Sequence, residues 1–405
     1  MRKWLVIIAL FLAGILAQAQ TDSLRLGYTV QGTVVDAGNG RPLESVHVSI
    51  PGRHQATVTN ADGFFIIKSD KPIGTITCSY LGYRSKSVKG GKDLRITLQR
   101  ESIQLHEAHI ISGDPKKIVE MAVERIWDTY CTQPQLLECF YRETLQKRNR
   151  YTYVAEAVAR MYKSAYNASV SYDAAALEKS RVLVSQRRTD TLSVKTQGGP
   201  TTAIGMDLLK NTPLLFNRDE MALYSYEMLS PTYIGDRVQF VIQMTPKVEV
   251  EYALYNCTLY IDRERLTFTR IEAALDMRDR PKATRMMLVS KPFSLRFFPE
   301  ECSVVINYRL EGDQVRMEYF RSTMRFACDW RKRLFRTRYT AINELVVTDV
   351  RPEATPIRRQ DRFRTSDILS DKAPEFYDAD FWADYNIIEP SESLENAIKR
   401  LKRSH

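Results

Sequence analysis

The chain has 405 residues, of which 44% are apolar and 27% charged, and a formal net charge of +10. That length exceeds one small core and predicts two or three domains, while the apolar share excludes disorder as the default state. The positive balance favours anionic surfaces: lipid head groups, lipopolysaccharide phosphate or acidic glycans.

Taken in order, Arg2 and Lys3, the apolar run Leu5 to Leu16 and the small-x-small site Ala17-Gln18-Ala19 read as a signal peptide over residues 1–19. The run is short for a membrane span, and no later run approaches that length. Export predicts a periplasmic or outer-membrane-associated protein, attached peripherally rather than integrally, and argues against nucleic acid as a partner. The lack of a Cys after the cleavage site argues against a lipid-anchored N-terminus.

Residues 20–27 read as a tether. From Tyr28 short strands alternate with turns: Thr29 to Val35, then Asp36-Ala37-Gly38-Asn39-Gly40, then Val46 to Ile50. Asn60-Ala61-Asp62-Gly63 makes a tight turn before Phe64 to Ile67, and Ile73 to Tyr80 and Leu94 to Leu98 follow. This rhythm predicts about seven strands and a small β-sandwich over residues 28–99.

The residues of this stretch carry a resemblance. Gly32-Thr33-Val34-Val35-Asp36, Gly40-Arg41-Pro42-Leu43, Thr59-Asn60-Ala61-Asp62-Gly63-Phe64-Phe65 and Leu81-Gly82-Tyr83 look like the carboxypeptidase regulatory-like domain. The resemblance implies a transthyretin-like β-sandwich acting as a non-catalytic accessory module, common in envelope proteins, including some TonB-dependent outer-membrane transporters. In those transporters an acidic-then-apolar linker often follows. Leu105 to Ile111 has that shape but carries Ala108 and His109 where branched apolar residues would be expected, which argues against TonB contact.

Residues 100–113 read as a linker and 114–350 as a larger domain. Asp114 and Pro115 supply the N-cap and first position of a helix whose apolar face is Val119, Val123, Ile126, Trp127 and Tyr130, all expected in the core. Phe140-Tyr141-Arg142-Glu143 opens a strand, and Tyr153 to Tyr166 reads as a helical or mixed segment. From about Val182 the pattern predicts a long antiparallel meander. A hairpin turns at Arg263-Glu264-Arg265, and another at Glu311-Gly312-Asp313. Cys302, Val304, Ile306, Tyr308 and Leu310 share one face of the strand before that second turn; Val315, Met317 and Tyr319 face back from its partner. The expectation is a mainly β, α+β chain: a sandwich followed by an antiparallel half-barrel with flanking helices. Residues 351–405 complete it with a basic loop, an aromatic segment from Phe376 to Ile388 and an amphipathic helix bearing Leu394, Ala397, Ile398 and Leu401 on one side.

Phe140-Tyr141-Arg142-Glu143, Leu259-Tyr260-Ile261-Asp262 and Phe381-Trp382-Ala383-Asp384-Tyr385-Asn386 more loosely resemble envelope proteins in which such a sandwich precedes a domain of unassigned function. The strand–turn rhythm of residues 230–350 is similar to the open barrels of lipoprotein-carrier proteins, an analogy of architecture alone.

Candidate sites are few. The six cysteines stand at 78, 131, 139, 257, 302 and 328. Cys131 and Cys139, flanking a short Pro-containing loop, are the candidate disulfide. His106-Glu107-Ala108-His109 lacks the spacing of a helical zinc motif, and no cofactor is expected. No metallopeptidase motif or G-x-S-x-G elbow occurs, and Gly198-Gly199-Pro200 reads as a turn without a helix start. Glu300-Glu301, Asp276 with Asp279, and Asp378 with Asp380 are the carboxylate pairs a glycan-processing enzyme would need, though solvation explains them as well. Residues 316–364 hold 13 lysines and arginines against 6 acids. Within that stretch Arg331, Lys332, Arg333, Arg336 and Arg338 are the candidate contact with an anionic surface. Val304, Ile306, Tyr308, Met317, Tyr319, Phe326 and Trp330 are the candidate apolar groove. The expected function is non-enzymatic: an envelope binding or assembly protein whose half-barrel holds an apolar or lipidic ligand, a lipoprotein or a partner segment. A glycan-processing enzyme, an integral outer-membrane barrel or an accessory of TonB-dependent transport are the alternatives.

Overall fold

A computed structural model describes residues 27–101, 113–187, 190, 197–330, 336–351, 353–373 and 382–402. The expected signal peptide, the linker with His106 and His109, Arg331 to Arg333, Asp378, Asp380 and Phe381 lie outside the described residues.

The first seven strands form a sandwich of two sheets. They are β1 (Tyr28–Asp36), β2 (His47–Ser49), β3 (Ala56–Val58), β4 (Phe64–Ser69), β5 (Thr75–Ser79), β6 (Lys86–Lys89) and β7 (Leu94–Leu98). One sheet has the order β4-β1-β7 and the other β3-β2-β5-β6. Strand β4 shows the period that drives this packing: Phe65 and Ile67 point into the core with Val34, Val46, Val48, Ile76 and Ile96, while Phe64 and Ile66 do not. The turn before β4 has a physical reason for its sequence. Asn60 Oδ1 accepts from the amides of Asp62 at 2.9 Å and Phe64 at 3.0 Å. Gly63 has φ +71°, and a Cβ there would lie 2.4 Å from the Val34 carbonyl.

The second unit is a ten-stranded sheet, ordered β10-β9-β8-β17-β16-β15-β14-β13-β12-β11. Strands β8 (Gln135–Lys147), β9 (Arg150–Lys163) and β10 (Ala174–Val184) form one meander. A second runs through β11 (Tyr224–Ile234), β12 (Arg237–Pro246), β13 (Tyr255–Asp262), β14 (Phe268–Leu275), β15 (Leu295–Glu311), β16 (Gln314–Trp330) and β17 (Thr337–Arg351). Antiparallel pairing of β17 with β8 joins the two, and β10 and β11 remain as edges, so the sheet is open. The mainly β architecture expected from the sequence is the one observed.

All the named helices except the last lie against one face, here called inner. Helix α1 (Pro115–Glu124), capped by the Asp114 carboxylate at 3.0 Å from the Lys116 amide, and α2 (Ile126–Thr129) bury Val119, Ala122 and Ile126 against it. Between the meanders lie α3 (Gly199–Gly205) and α4 (Arg218–Met221); α5 (Arg280–Met287) precedes β15, and α6 (Leu369–Lys372) follows β17. Helix α7 (Glu392–Lys402) lays Leu394, Ile398 and Leu401 on Val154 and Leu183 of the outer face.

The sandwich and the segment from Trp382 to Ser391 cover the outer face. Phe140, Val158, Tyr319 and Val346 pack against Val58 of β3 and against Trp382, Ile387 and Ile388. Asn386 bonds Lys68 reciprocally: its Oδ1 accepts from the Lys68 amide at 2.7 Å and its Nδ2 donates to the Lys68 carbonyl at 3.0 Å. Lys68 Nζ donates to the carbonyls of Trp382 at 2.9 Å and Tyr385 at 3.0 Å. Beneath this segment Glu156 is fully buried between Arg142 and Arg181. Burial pushes its carboxyl up, but the two guanidinium groups outweigh burial and hold it below the usual range. At the other end of the interface His47 and His54 of the sandwich pair with Glu318 and Glu311 of the sheet.

Three expectations are corrected. Tyr153 to Tyr166, expected to be helical or mixed, lies mostly in strand β9, which is buried on both faces and whose Ala155, Ala157 and Ala159 hide the period of two. Gly198-Gly199-Pro200 does open a helix, with Gly198 at φ +82° and Pro200 in the first turn of α3. Trp127, expected in the core, is 45% exposed, because α1 ends at Glu124 and the break at Arg125 rotates the next turn out of phase.

Because Asn386 supplies both bonds to the Lys68 backbone at a site with 4% exposure, Asn386→Ala is expected to destabilise the protein by about 2–3 kcal/mol, read by urea denaturation.

Candidate functional site

The predicted groove residues lie on the sheet, but not as an open groove. Val304, Ile306, Tyr308 and Met317 do share the inner face, where α1, α2 and the segment 203–221 cover them. Phe326 is on the same face further along, packed with Leu145, Leu295, Cys328 and Tyr339. Tyr319 is on the opposite face. The register shifts between Asn307 and Tyr308, so that Tyr308 faces Met317 while Asn307 faces Tyr319. The extra residue, Glu318, forms a bulge that sends the following side chains to the other side. Trp330 pairs with Leu295 in the β15–β16 ladder.

Segment 203–221 is the part of the inner cover that sequence reading missed. It is pinned by a buried charge cluster. Asp207 accepts from Tyr166 Oη at 2.7 Å and Tyr308 Oη at 2.9 Å, and pairs with Lys163 Nζ at 2.6 Å. Lys210 Nζ donates to the Ser164 carbonyl at 2.6 Å and to Asp173 Oδ1 at 2.5 Å. Burial raises the Asp207 carboxyl, yet Lys163 and the hydroxyl donors outweigh burial and hold it low. Tyr308 is thus a tie between sheet and cover rather than a ligand-facing side chain.

Towards β11 this cover stands off the sheet and leaves a cavity of about 380 Å³. Met206, Leu208, Leu214 and Leu215 form its roof, and Tyr224, Tyr255, Ala273 and Val304 its floor. Leu214, Tyr252 and Met286, each about half-exposed, form the mouth. Glu220 is the one charged lining residue, and its carboxylate accepts from Tyr252 Oη at 2.7 Å. Apolar walls with a single oriented carboxylate at the rim suit an apolar chain with a polar end. The signal in the sequence was the pair of apolar clusters Leu208-Leu209 and Leu214-Leu215-Phe216 around Pro213.

Other predicted site residues have local partners. Arg338 pairs with Glu300 at 3.0 Å, and the Arg336 guanidinium lies 3.7 Å from the centre of the Phe298 ring. Glu301 pairs with Arg325, Asp276 with Arg278, and Asp279 caps α5 at the Lys282 amide while pairing with Lys282. The bridge expected between Cys131 and Cys139 is absent; both are free thiols buried in the inner core, and burial pushes both up. Each fills core volume as a small apolar side chain. Among the described residues no cluster of metal-ligating side chains occurs. No helix there is long and apolar enough to cross a membrane.

Residues 30–110 match the family described as CarboxypepD_reg-like domain, which is the resemblance the first motifs carried. No curated protein matches the chain. Among solved structures, the chain is similar to a domain provisionally described as an outer membrane lipoprotein-sorting protein, from Vibrio parahaemolyticus. That match has 11% identity over 61% of this chain and 95% of that one, at a TM-score of 0.25. It is also similar to a DUF1329 family protein from Desulfovibrio piger, with 11% identity over 59% and 93% of the two chains and a TM-score of 0.24. A third is a LolA superfamily protein from Nitrosomonas europaea, at 13% identity, 62% and 100% coverage, and a TM-score of 0.19.

One buried carboxyl on the inner face sets a pH dependence. Glu143, 1% exposed, accepts from Tyr153 Oη and, at 3.1 Å, from Tyr141 Oη. Burial pushes it from 4.5 up to about 7, against the pull of both hydroxyls. The folded state therefore binds this proton more tightly than the unfolded one, and Glu143 costs stability progressively as pH rises from 4.5 to about 7. Glu143→Gln is expected to raise Tm at pH values above that window, with the gain shrinking to little below it; calorimetry across that range reads both.

Proposed function

We propose that this protein is a non-enzymatic binding protein of the cell envelope that holds an acyl chain in the cavity beneath segment 203–221. The observation that carries this reading is the cavity itself: about 380 Å³, walled by Met206, Leu208, Leu215, Tyr255, Ala273 and Val304, with its only charge at the rim. Its volume falls in the range of roughly 300–1,000 Å³ typical of small-molecule sites. Each methylene taken from water into such a wall contributes about 0.8 kcal/mol. Among the described residues, Glu300, Glu301, Asp276 and Asp279 each pair with a neighbouring cation, which favours binding over hydrolysis. The signal-like N-terminus supports an envelope location, and the regulatory-like sandwich, fixed to the outer face, would serve as an adaptor for a partner protein or lipoprotein.

Native mass spectrometry of protein purified without detergent, with lipid extraction alongside, is expected to find bound acyl lipid. Wild-type protein is also expected to take up a fluorescent fatty acid. Ala273→Phe, which fills the floor, and Leu214→Asp, which places a charge at the mouth, are each expected to weaken that uptake about tenfold or more. Wild-type protein that carries no lipid and takes up no fatty acid would remove the basis of the reading.

A further inference from the structure

Helix α5 and the segment that follows it carry an unusual surface. From Arg280 to Pro299 the chain holds five cations (Arg280, Lys282, Arg285, Lys291 and Arg296) and no acid. The same stretch carries the two most exposed large apolar side chains of the described residues, Val289 at 85% and Phe293 at 87%. Exposed apolar tips interleaved with cations are what a surface needs to enter the head-group layer of an anionic bilayer: the apolar groups gain by insertion and the cations by the surface potential.

Position adds a second, independent observation. Met286, on the same helix and three residues before Val289, lines the mouth of the apolar cavity and is 47% exposed. Arg285 is tied to the opposite rim, its Nη2 donating to the Glu251 carbonyl at 3.2 Å, next to Tyr252. Of the acids on this side, Asp276 pairs with Arg278 and Asp279 with Lys282, which leaves Arg280, Arg285, Lys291 and Arg296 against the exposed Glu249 and Glu251. The exposed segment therefore stands beside the cavity mouth rather than on a remote face.

We propose that residues 280–295 are the surface by which this protein docks on an anionic lipid bilayer, with Val289 and Phe293 entering the head-group layer, Arg280, Arg285 and Lys291 facing lipid phosphates, and the cavity mouth turned to the membrane. The docking rests on the preceding functional reading only for what the cavity takes up, and its test is separate.

The test is co-sedimentation of the purified protein with vesicles of phosphatidylethanolamine and phosphatidylglycerol, compared with vesicles of phosphatidylcholine alone. Wild-type protein is expected to partition onto the anionic vesicles about tenfold more strongly, with the preference fading at high salt. Val289→Ser with Phe293→Ser is expected to reduce that partition about tenfold while leaving circular dichroism and fatty-acid uptake unchanged, since both side chains are exposed. Arg285→Ser with Lys291→Ser is expected to abolish the preference for the anionic vesicles. Equal partition onto both vesicle types, or full anionic binding by the Val289/Phe293 variant, overturns the docking. Ala273→Phe separates the two readings: it is expected to lose fatty-acid uptake and keep vesicle binding.

Discussion

A single antiparallel sheet has two faces, and here both are apolar across β8, β9, β16 and β17, so the chain must supply two covers. Most of what lies outside the sheet is placed by that constraint. Helices α1 and α2 and segment 203–221 close the inner face; the sandwich and Trp382 to Ser391 close the outer one. The outer cover is polar at its base, because Arg142, Glu156 and Arg181 lie under it. Arg142 donates to the Ile388 carbonyl at 2.5 Å, and the Arg181 guanidinium lies 5.1 Å from the Trp382 ring centre. A buried ion group of this kind adds little net stability, but removing one member leaves a charge unpaired in low dielectric. It therefore fixes which segment sits there more than how firmly it sits. Trp382 to Ser391 is the segment whose backbone carbonyls and Asn386 side chain meet both the sheet and the sandwich, and it locks the two units in one arrangement.

The inner cover follows the same logic with a different outcome. Asp207, Lys163, Asp173 and Lys210 neutralise one another, and two tyrosine hydroxyls complete the coordination of Asp207. This anchors the cover at Asp207 and Lys210 only. Beyond Lys210 the chain leaves the charge cluster, passes Pro213 and returns to the sheet at Leu215 and Phe216, where Phe216 packs at a tilt against Phe268. The cavity lies beneath this stretch and beneath Met206 and Leu208, which flank the Asp207 anchor. A cavity walled mainly by apolar side chains offers water few partners, so filling it with hydrocarbon is the favourable exchange.

The sandwich was legible because its information is local. The Asn60–Gly63 turn, the period of β4 and the left-handed glycines are set by residues within a few positions of one another. The α1 cap, the hairpins at Arg263 and Gly312 and the final helix were legible for the same reason. The site was legible only in part. The alternation of Val304, Ile306 and Tyr308 gives the inner face, but the bulge at Glu318 that returns Tyr319 to the outer face has no local signature. Its cause is non-local, a carboxylate held between His47 of the sandwich and Arg309 of the neighbouring strand. Strand β9 was hidden because a strand buried on both faces loses its period. The roof of the cavity was hidden because short helices around Gly199 and Pro213 carry too few turns to show one.

The distribution of charge shows most sharply why a linear count misplaces a surface. The stretch from Arg316 to Arg364 is the densest in cations, yet its strands lie beside acids on neighbouring strands, most of them distant in sequence. Arg316 meets Glu311, Arg321 meets Glu44 and Glu344, Arg325 meets Glu301, Arg338 meets Glu300, and Arg351 meets Glu138 and Glu178. Pairing of this kind neutralises these five cations locally, so that they add little to the surface charge. Helix α5 and its following segment begin with fewer cations, but they leave the sheet and so escape cross-strand partners over most of their length. Lys282 pairs with Asp279, but no acid lies within the segment itself to meet Arg280, Arg285 and Lys291. The excess positive charge of a β protein is therefore to be sought where the chain departs from its ladder, and here that departure borders an apolar opening in the inner cover.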